Sequence, residues 1–140
     1  MKILLVDNDV VYANLLSEIL SLYSHTVLKA GDGLEALEVL KGEYVDLVIS
    51  DALMPNMNGL ELHQNVRMDE RFKHTPFAWN SGHKDVLGIL RIDDPEVDFI
   101  FDKAGPLSAF LHFITSLDVA LKMKHTRVAE NASSFDTLQG

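Results

Sequence analysis

The chain has 140 residues, 47% hydrophobic and 24% charged, a balance that fits one globular domain with a real core. Its formal net charge of −9 argues against a nucleic-acid surface, which needs clustered Lys and Arg, and the lack of cysteine excludes disulfides, thiol catalysis and Cys-based zinc sites. No apolar run approaches the ~20 residues of a membrane span, and Asp7 cuts the N-terminal run too short for a signal peptide, so a cytoplasmic protein with neither nucleic-acid nor membrane partners is expected.

The first apolar run, KILLV (2–6), reads as a strand and runs straight into Asp7-Asn8-Asp9. Leu15, Leu16, Ile19, Leu20 and Tyr23 then recur at helical spacing, with Asp9 placed to N-cap that helix. TVLKA (26–30) is the second strand, followed by a helix on Leu34, Leu37 and Leu40 that Gly42 ends. DLVIS (46–50) leads into Asp51, and a weaker helix on Leu60, Leu62 and Val66 follows Gly59. PFAWN (76–80) leads into Ser81-Gly82. The helix after His83 (Val86, Leu87, Leu90) is weak, with Gly88 inside it and Asp93-Asp94-Pro95 stopping it. DFIFD (98–102) is followed by Lys103, and the last helix carries one stripe: Leu107, Phe110, Leu111, Ile114, Leu117 and Leu121. From about Lys124 the pattern dissolves, so residues 1–123 are expected to form the domain and 124–140 a flexible tail.

Most of these strands are nearly continuous in apolar residues, as expected when both faces are covered. Five βα units of this size predict a doubly wound parallel sheet with helices on both faces.

In such a sheet, ligands bind just beyond the carboxyl ends of the strands. The residues there are Asp7-Asn8-Asp9, Asp51, Asn80-Ser81-Gly82 and Asp102-Lys103, from the first, third, fourth and fifth strands. Crowded carboxylates repel unless a cation joins them, and Mg²⁺ prefers oxygen ligands. A Lys and a Ser facing the same spot suit the oxygens of a phosphoryl group, which a carboxylate nucleophile would take up as an acyl phosphate.

With these residues placed, the chain resembles the receiver domain of two-component response regulators. The strongest stretch is VDLVISDALMPNMNGLEL (45–62), where an apolar strand, Asp51, Met54-Pro55 and Gly59 stand at the family's spacing; VLKAGDGLEALEVL adds the second strand and helix. The resemblance implies a flavodoxin-like (βα)5 fold and a stand-alone cytoplasmic phospho-acceptor. Such a protein is not an enzyme in its own right, although it assists its own phosphorylation and dephosphorylation. A histidine kinase or histidine phosphotransfer protein would supply the phosphoryl group to Asp51. Ser81 would be the switch hydroxyl and Lys103 the lysine that pairs with the phosphoryl group. Asp7, Asp51 and the Leu53 carbonyl would hold Mg²⁺. A downstream protein would read the face made by the fourth helix, fifth strand and fifth helix. Pro55 and Gly59 would shape the loop after Asp51, Gly59 by tolerating positive φ.

The departures are informative. Asn8 stands where the family has a second acid that ligates the metal; its amide oxygen would still coordinate, as a weak ligand, but the lost charge would weaken Mg²⁺ binding. Lys103 is followed by Ala104 rather than proline, Ile100 replaces a frequent aromatic, and Asn80 replaces an apolar strand residue. His83 lies where the family tunes access of water to the phosphoryl group. Trp79 reads as core, and the six histidines as surface or packing residues without metal-ligand spacing.

Two other readings compete. Asn8 and Ala104 suit a receiver-like module that takes no phosphate and acts only by binding partners. LLVDNDVV also matches the Asp-x-Asp opening of haloacid-dehalogenase-type phosphatases, with Asp7 as nucleophile, Asp9 as general acid/base and IDDPEVD as the late acidic pair. Only eleven residues separate Ser81 from Asp93, too few for the intervening elements that fold needs.

Overall fold

A computed structural model describes residues 1–88, 90 and 92–139, with the backbone alone for Lys84, Asp85 and 133–139. The chain divides into two units, Met1–Ala104 and Gly105–Gly140.

The first unit alternates strands and helices: β1 (Lys2–Val6), α1 (Val10–Leu22), β2 (Thr26–Ala30), α2 (Gly33–Gly42), β3 (Leu47–Ser50), α3 (Gly59–Met68), β4 (Phe77–Ser81), α4 (Lys84–Leu87) and β5 (Asp98–Asp102). All strands are parallel, in the order β2-β1-β3-β4-β5. This is the flavodoxin-like doubly wound order, whose direction of winding reverses between β1 and β3. Five such units with α5 (Leu107–Gln139) give the (βα)5 fold that the alternation predicts.

Side-chain alternation sorts the core into layers. Leu4, Val6, Val48, Phe77 and Trp79 pack on one face with Ala36 and Leu40 of α2 and Leu62 and Val66 of α3. Ile3, Leu5, Leu47, Ile49 and Ala78 point the other way and are equally buried, as are Ala13, Leu16 and Leu20 along α1. The edge strand β2 is the least covered, with Thr26 and Lys29 exposed.

Each of the first three helices starts on a side-chain cap. Asp9 accepts from Tyr12 N (3.1 Å), Asp32 from Glu35 N (2.9 Å) and Asn58 from Glu61 N (2.9 Å), satisfying amides that have no partner within the helix. The fourth helix is a single turn: it stops at Gly88, and Leu90 turns back into the core at 8% exposure. Ser81 belongs to β4 itself, its last residue, and Pro76 precedes the strand.

The second unit consists of α5. Its backbone is helical through the segment that sequence periodicity reads as a tail from 124, and side chains 122–132 are all exposed. Among the described residues no helix is long and apolar enough to cross a membrane.

Candidate functional site

The winding reversal opens a crevice between the carboxyl ends of β1 and β3, where such sheets bind ligands. Val6 and Ser50 are paired in register, so the next residues, Asp7 and Asp51, leave the sheet side by side. The Asp51 amide still donates to the Val6 carbonyl at 2.9 Å, and the Asp7 amide to Ala30 at 3.0 Å. Both side chains are buried, at 3% and 5% exposure.

Each carboxylate has one oxygen fixed by the backbone. Asp7 Oδ1 accepts from Asp9 N at 2.9 Å, and Asp51 Oδ1 from Ala52 N at 2.7 Å. The two Oδ2 atoms converge on one cation, Lys103 Nζ, at 2.5 Å and 2.9 Å. Lys103 follows β5, and its amide donates to Ser81 O at 3.0 Å, which ties the ends of β4 and β5 together. Burial pushes the Asp7 pKa up, and the hydrogen bond and charge of Lys103 offset this only in part. Burial would lower the Lys103 pKa, but its hydrogen bonds to Asp7 and Asp51 raise it above its ordinary value, so the ammonium stays charged.

Ser81 is fully buried, and its Oγ accepts from His83 N at 3.2 Å. His83 therefore reaches the site through its backbone, while its side chain is exposed. Asn8 is also exposed, and Leu53 is 44% exposed in the loop after Asp51. Ile100 pairs with Trp79 in register and packs against the core. Where the family has proline, Ala104 N donates to Asp102 Oδ1 at 2.8 Å, so an Asx turn shapes this loop.

The loop from Asp51 to α3 is held by backbone bonds, Gly59 N to Ala52 O at 2.9 Å and Gly33 N to Met57 O at 3.1 Å. Asn56 takes the left-handed conformation (φ 65°) and donates to Asp32 Oδ2 at 2.7 Å. The expected reason for Gly59 needs correction. No described glycine has positive φ; a Cβ at Gly59 would instead stand 2.3 Å from Asp51 O and 2.7 Å from Trp79. Close approach, not backbone conformation, demands glycine there.

Two groupings escape sequence reasoning. Tyr12, in the first turn of α1, presents its ring to Lys103 Nζ (4.4 Å to the centroid) and accepts a 2.7 Å hydrogen bond at its hydroxyl from Asn80 Nδ2. Asn80 is conspicuous in the sequence as a polar residue in an apolar strand, but its partner is not. The other grouping lies at the opposite sheet edge, where β5 begins. Asp98 is 1% exposed and accepts from His63 Nε2 (2.8 Å), Arg67 Nη2 (2.6 Å), Asp93 N (3.2 Å) and Asp94 N (3.1 Å). His63 is thus a buried partner of a carboxylate, with Phe77 and Trp79 against its ring. The ligand atoms of His63, Asp93 and Asp98 lie within 4.8 Å of one another, but Arg67 already supplies the positive charge there.

This placement removes the phosphatase reading. Asp9 is an exposed helix cap, and the acidic pair IDDPEVD sits at the start of β5, across the sheet from Asp7.

Comparison with known proteins agrees with the geometry. A family described as the response regulator receiver domain matches residues 3–105. The chain is 42% identical over 90 residues to the Regulator of RpoS of Escherichia coli (strain K12), covering 64% of this chain and 26% of that protein. It is 40% identical over 77 residues to the chemotaxis protein CheY-3 of Vibrio cholerae, covering 54% and 59% respectively. The chain thus spans less than two thirds of either relative. The solved structure of the chemotaxis response regulator CheY4 of Vibrio cholerae superposes with a TM-score of 0.69 at 26% identity, over 83% of this chain and 97% of that one. With the family matched over most of its length and the crevice, carboxylates and lysine in place, the chain belongs to the response regulator receiver domain family.

Proposed function

We propose that the chain is a phospho-accepting switch in which Asp51 takes a phosphoryl group from a phosphohistidine on a histidine kinase or phosphotransfer protein. The observation that carries this reading is the convergence of Asp7 Oδ2 and Asp51 Oδ2 on the single ammonium of Lys103. Backbone amide Ala52 holds Asp51 Oδ1, which leaves Oδ2 as the attacking oxygen. The P–O bond to Asp51 forms as the P–N bond to the donor histidine breaks, and the imidazole leaves with a proton from solvent. Lys103 then pairs with a phosphoryl oxygen instead of the carboxylate. Ser81 follows, drawn from its bond with His83 N.

The pocket also suits Mg²⁺, since two buried carboxylates already meet at one cationic point. Asp7, Asp51 and the Leu53 carbonyl would hold the ion, with the exposed Asn8 amide as a weak fourth donor. When bound it would neutralise charge on the phosphoryl oxygens. Beside the pocket, α1 opens with Val10 and Val11, 67% and 79% exposed, an apolar landing point for the donor. Downstream, α4 and β5 carry the change outward, because Ser81 O and Lys103 N bind β4 to the end of β5.

Incubation with acetyl phosphate, with and without Mg²⁺, followed by intact-mass measurement, tests this. A Mg²⁺-dependent, base-labile adduct absent from Asp51→Ala supports the switch. The exposed amide of Asn8 favours a second reading, a binding module that takes no phosphate. The absence of an adduct at any Mg²⁺ concentration would establish that one.

A further inference from the structure

Lys103 is held by more than its two carboxylates. Its Nζ lies 4.4 Å from the centroid of the Tyr12 ring, within the range at which an aromatic face attracts a cation. Tyr12 is itself anchored through its backbone and through its hydroxyl. Tyr12 N donates to the Asp9 cap at 3.1 Å, and the hydroxyl accepts from Asn80 Nδ2 at 2.7 Å. Asn80 is 3% exposed and immediately precedes Ser81 in β4. A buried amide in an apolar strand needs a partner, and the phenol provides one. The contacts therefore run from α1 through the ring to the ammonium, and from β4 through the amide to the same ring.

The position of this ring matters because of Asn8. With an exposed amide where a second carboxylate would stand, the carboxylates that hold Lys103 among the described residues are those of Asp7 and Asp51. The ring limits where the ammonium can go when phosphorylation takes Asp51 Oδ2 from it.

We propose that Tyr12 and Asn80 are positioning residues of the phosphoryl pocket: Asn80 fixes the phenol, and the ring face keeps the Lys103 ammonium over Asp51. This rests on the phospho-acceptor reading for its consequence in rate, but not for its geometry.

Two measurements separate these. The first needs no phosphorylation. In full-length protein with labelled lysine, Lys103 Hε protons seated on an aromatic ring are displaced upfield and distinct from each other. Tyr12→Leu is expected to collapse them to a single resonance at the ordinary position, and Tyr12→Phe to preserve the displacement. The second is the rate of Asp51 phosphorylation by acetyl phosphate. Tyr12→Leu is expected to slow it about tenfold. Tyr12→Phe and Asn80→Leu should each slow it about threefold, and the double variant no more than either, because both remove the same hydrogen bond. Wild-type Lys103 resonances at the ordinary position would overturn the proposal. So would phosphorylation at the wild-type rate in Tyr12→Phe and Asn80→Leu, both conservative enough to fold even where Tyr12→Leu does not. If the wild type takes no phosphoryl group but its Lys103 resonances behave as described, the acceptor reading fails and the positioning stands.

Discussion

Replacing Asp98 with asparagine keeps the shape of the side chain and removes its charge. The carboxylate is buried and receives hydrogen bonds from the His63 ring, the Arg67 guanidinium and the amides of Asp93 and Asp94. In Asp98→Asn one side-chain oxygen becomes an NH₂ group, which faces donors on either side. Removing one partner of a buried ion pair typically costs ~3–5 kcal/mol. The Arg67 side chain is 17% exposed and also bonds to the Phe72 and Thr75 carbonyls, so it keeps other partners and the lower end applies. About 3 kcal/mol corresponds to a fall in Tm of roughly 10 °C for a chain of this size.

The pH dependence has a definite sign. Burial pushes the Asp98 carboxyl up, but the hydrogen bonds from His63 and Arg67 and the charge of Arg67 hold it below its ordinary 3.8. Its contribution is therefore present above pH 3.8 and is lost as the pH falls through the lower folded value. Thermal melts and urea titrations of both proteins at pH 7 and at steps down through the acid range measure this. The gap between them should stay constant near neutrality and close in acid. A variant whose Tm stays within about 1 °C of the wild type at pH 7, or a gap that widens in acid, would refute the reasoning.

Gly59→Ala should destabilise the protein by about 1–3 kcal/mol, because its Cβ would meet Asp51 O at 2.3 Å, and it should also slow phosphorylation; denaturant melts and acetyl phosphate kinetics check both. Gly42→Ala, which meets nothing within 4 Å on the last residue of α2, should be neutral or stabilising in the same melts. Asp7→Asn should raise the Tm at pH 7 while weakening Mg²⁺-dependent phosphorylation. Burial raises the Asp7 pKa, so its stabilising contribution is full below pH 3.8 and lost as the pH rises through the folded value. Val11→Lys, at 79% exposure, should slow transfer from a phosphohistidine donor about tenfold and leave acetyl phosphate kinetics unchanged.

What the sequence makes legible follows from what each signal physically reports. Runs such as KILLV and LVIS are apolar because both faces of the strand are covered, and the structure buries Ile3 through Val6 and Leu47 through Ile49 almost completely. Parallel direction then puts the residues after those runs on one edge, which is why the sequence alone groups Asp7, Asp51 and Lys103. The same signal is blind to helicity without burial. Residues 122–132 are helical but wholly exposed, so no stripe marks them, although the segment from Leu107 to Gln139 contains neither Gly nor Pro.

Pairings across the sheet are a harder case, because they depend on which face a residue takes and on what packs there. DFIFD carries an aspartate at each end, and only the direction of β5 decides their parts. Asp98 enters at the edge away from the pocket and gathers His63 and Arg67. Asp102 leaves at the pocket edge and caps the turn at Ala104. Tyr12 and Asn80 are 68 residues apart, and no local pattern links them. Asn80 nevertheless breaks the apolar pattern of β4, and a buried amide of that kind calls for a partner. An anomalous polar residue one step from Ser81 is therefore the mark of a tertiary contact. Here it leads through Tyr12 to Lys103, a cation that both carboxylates of the pocket share.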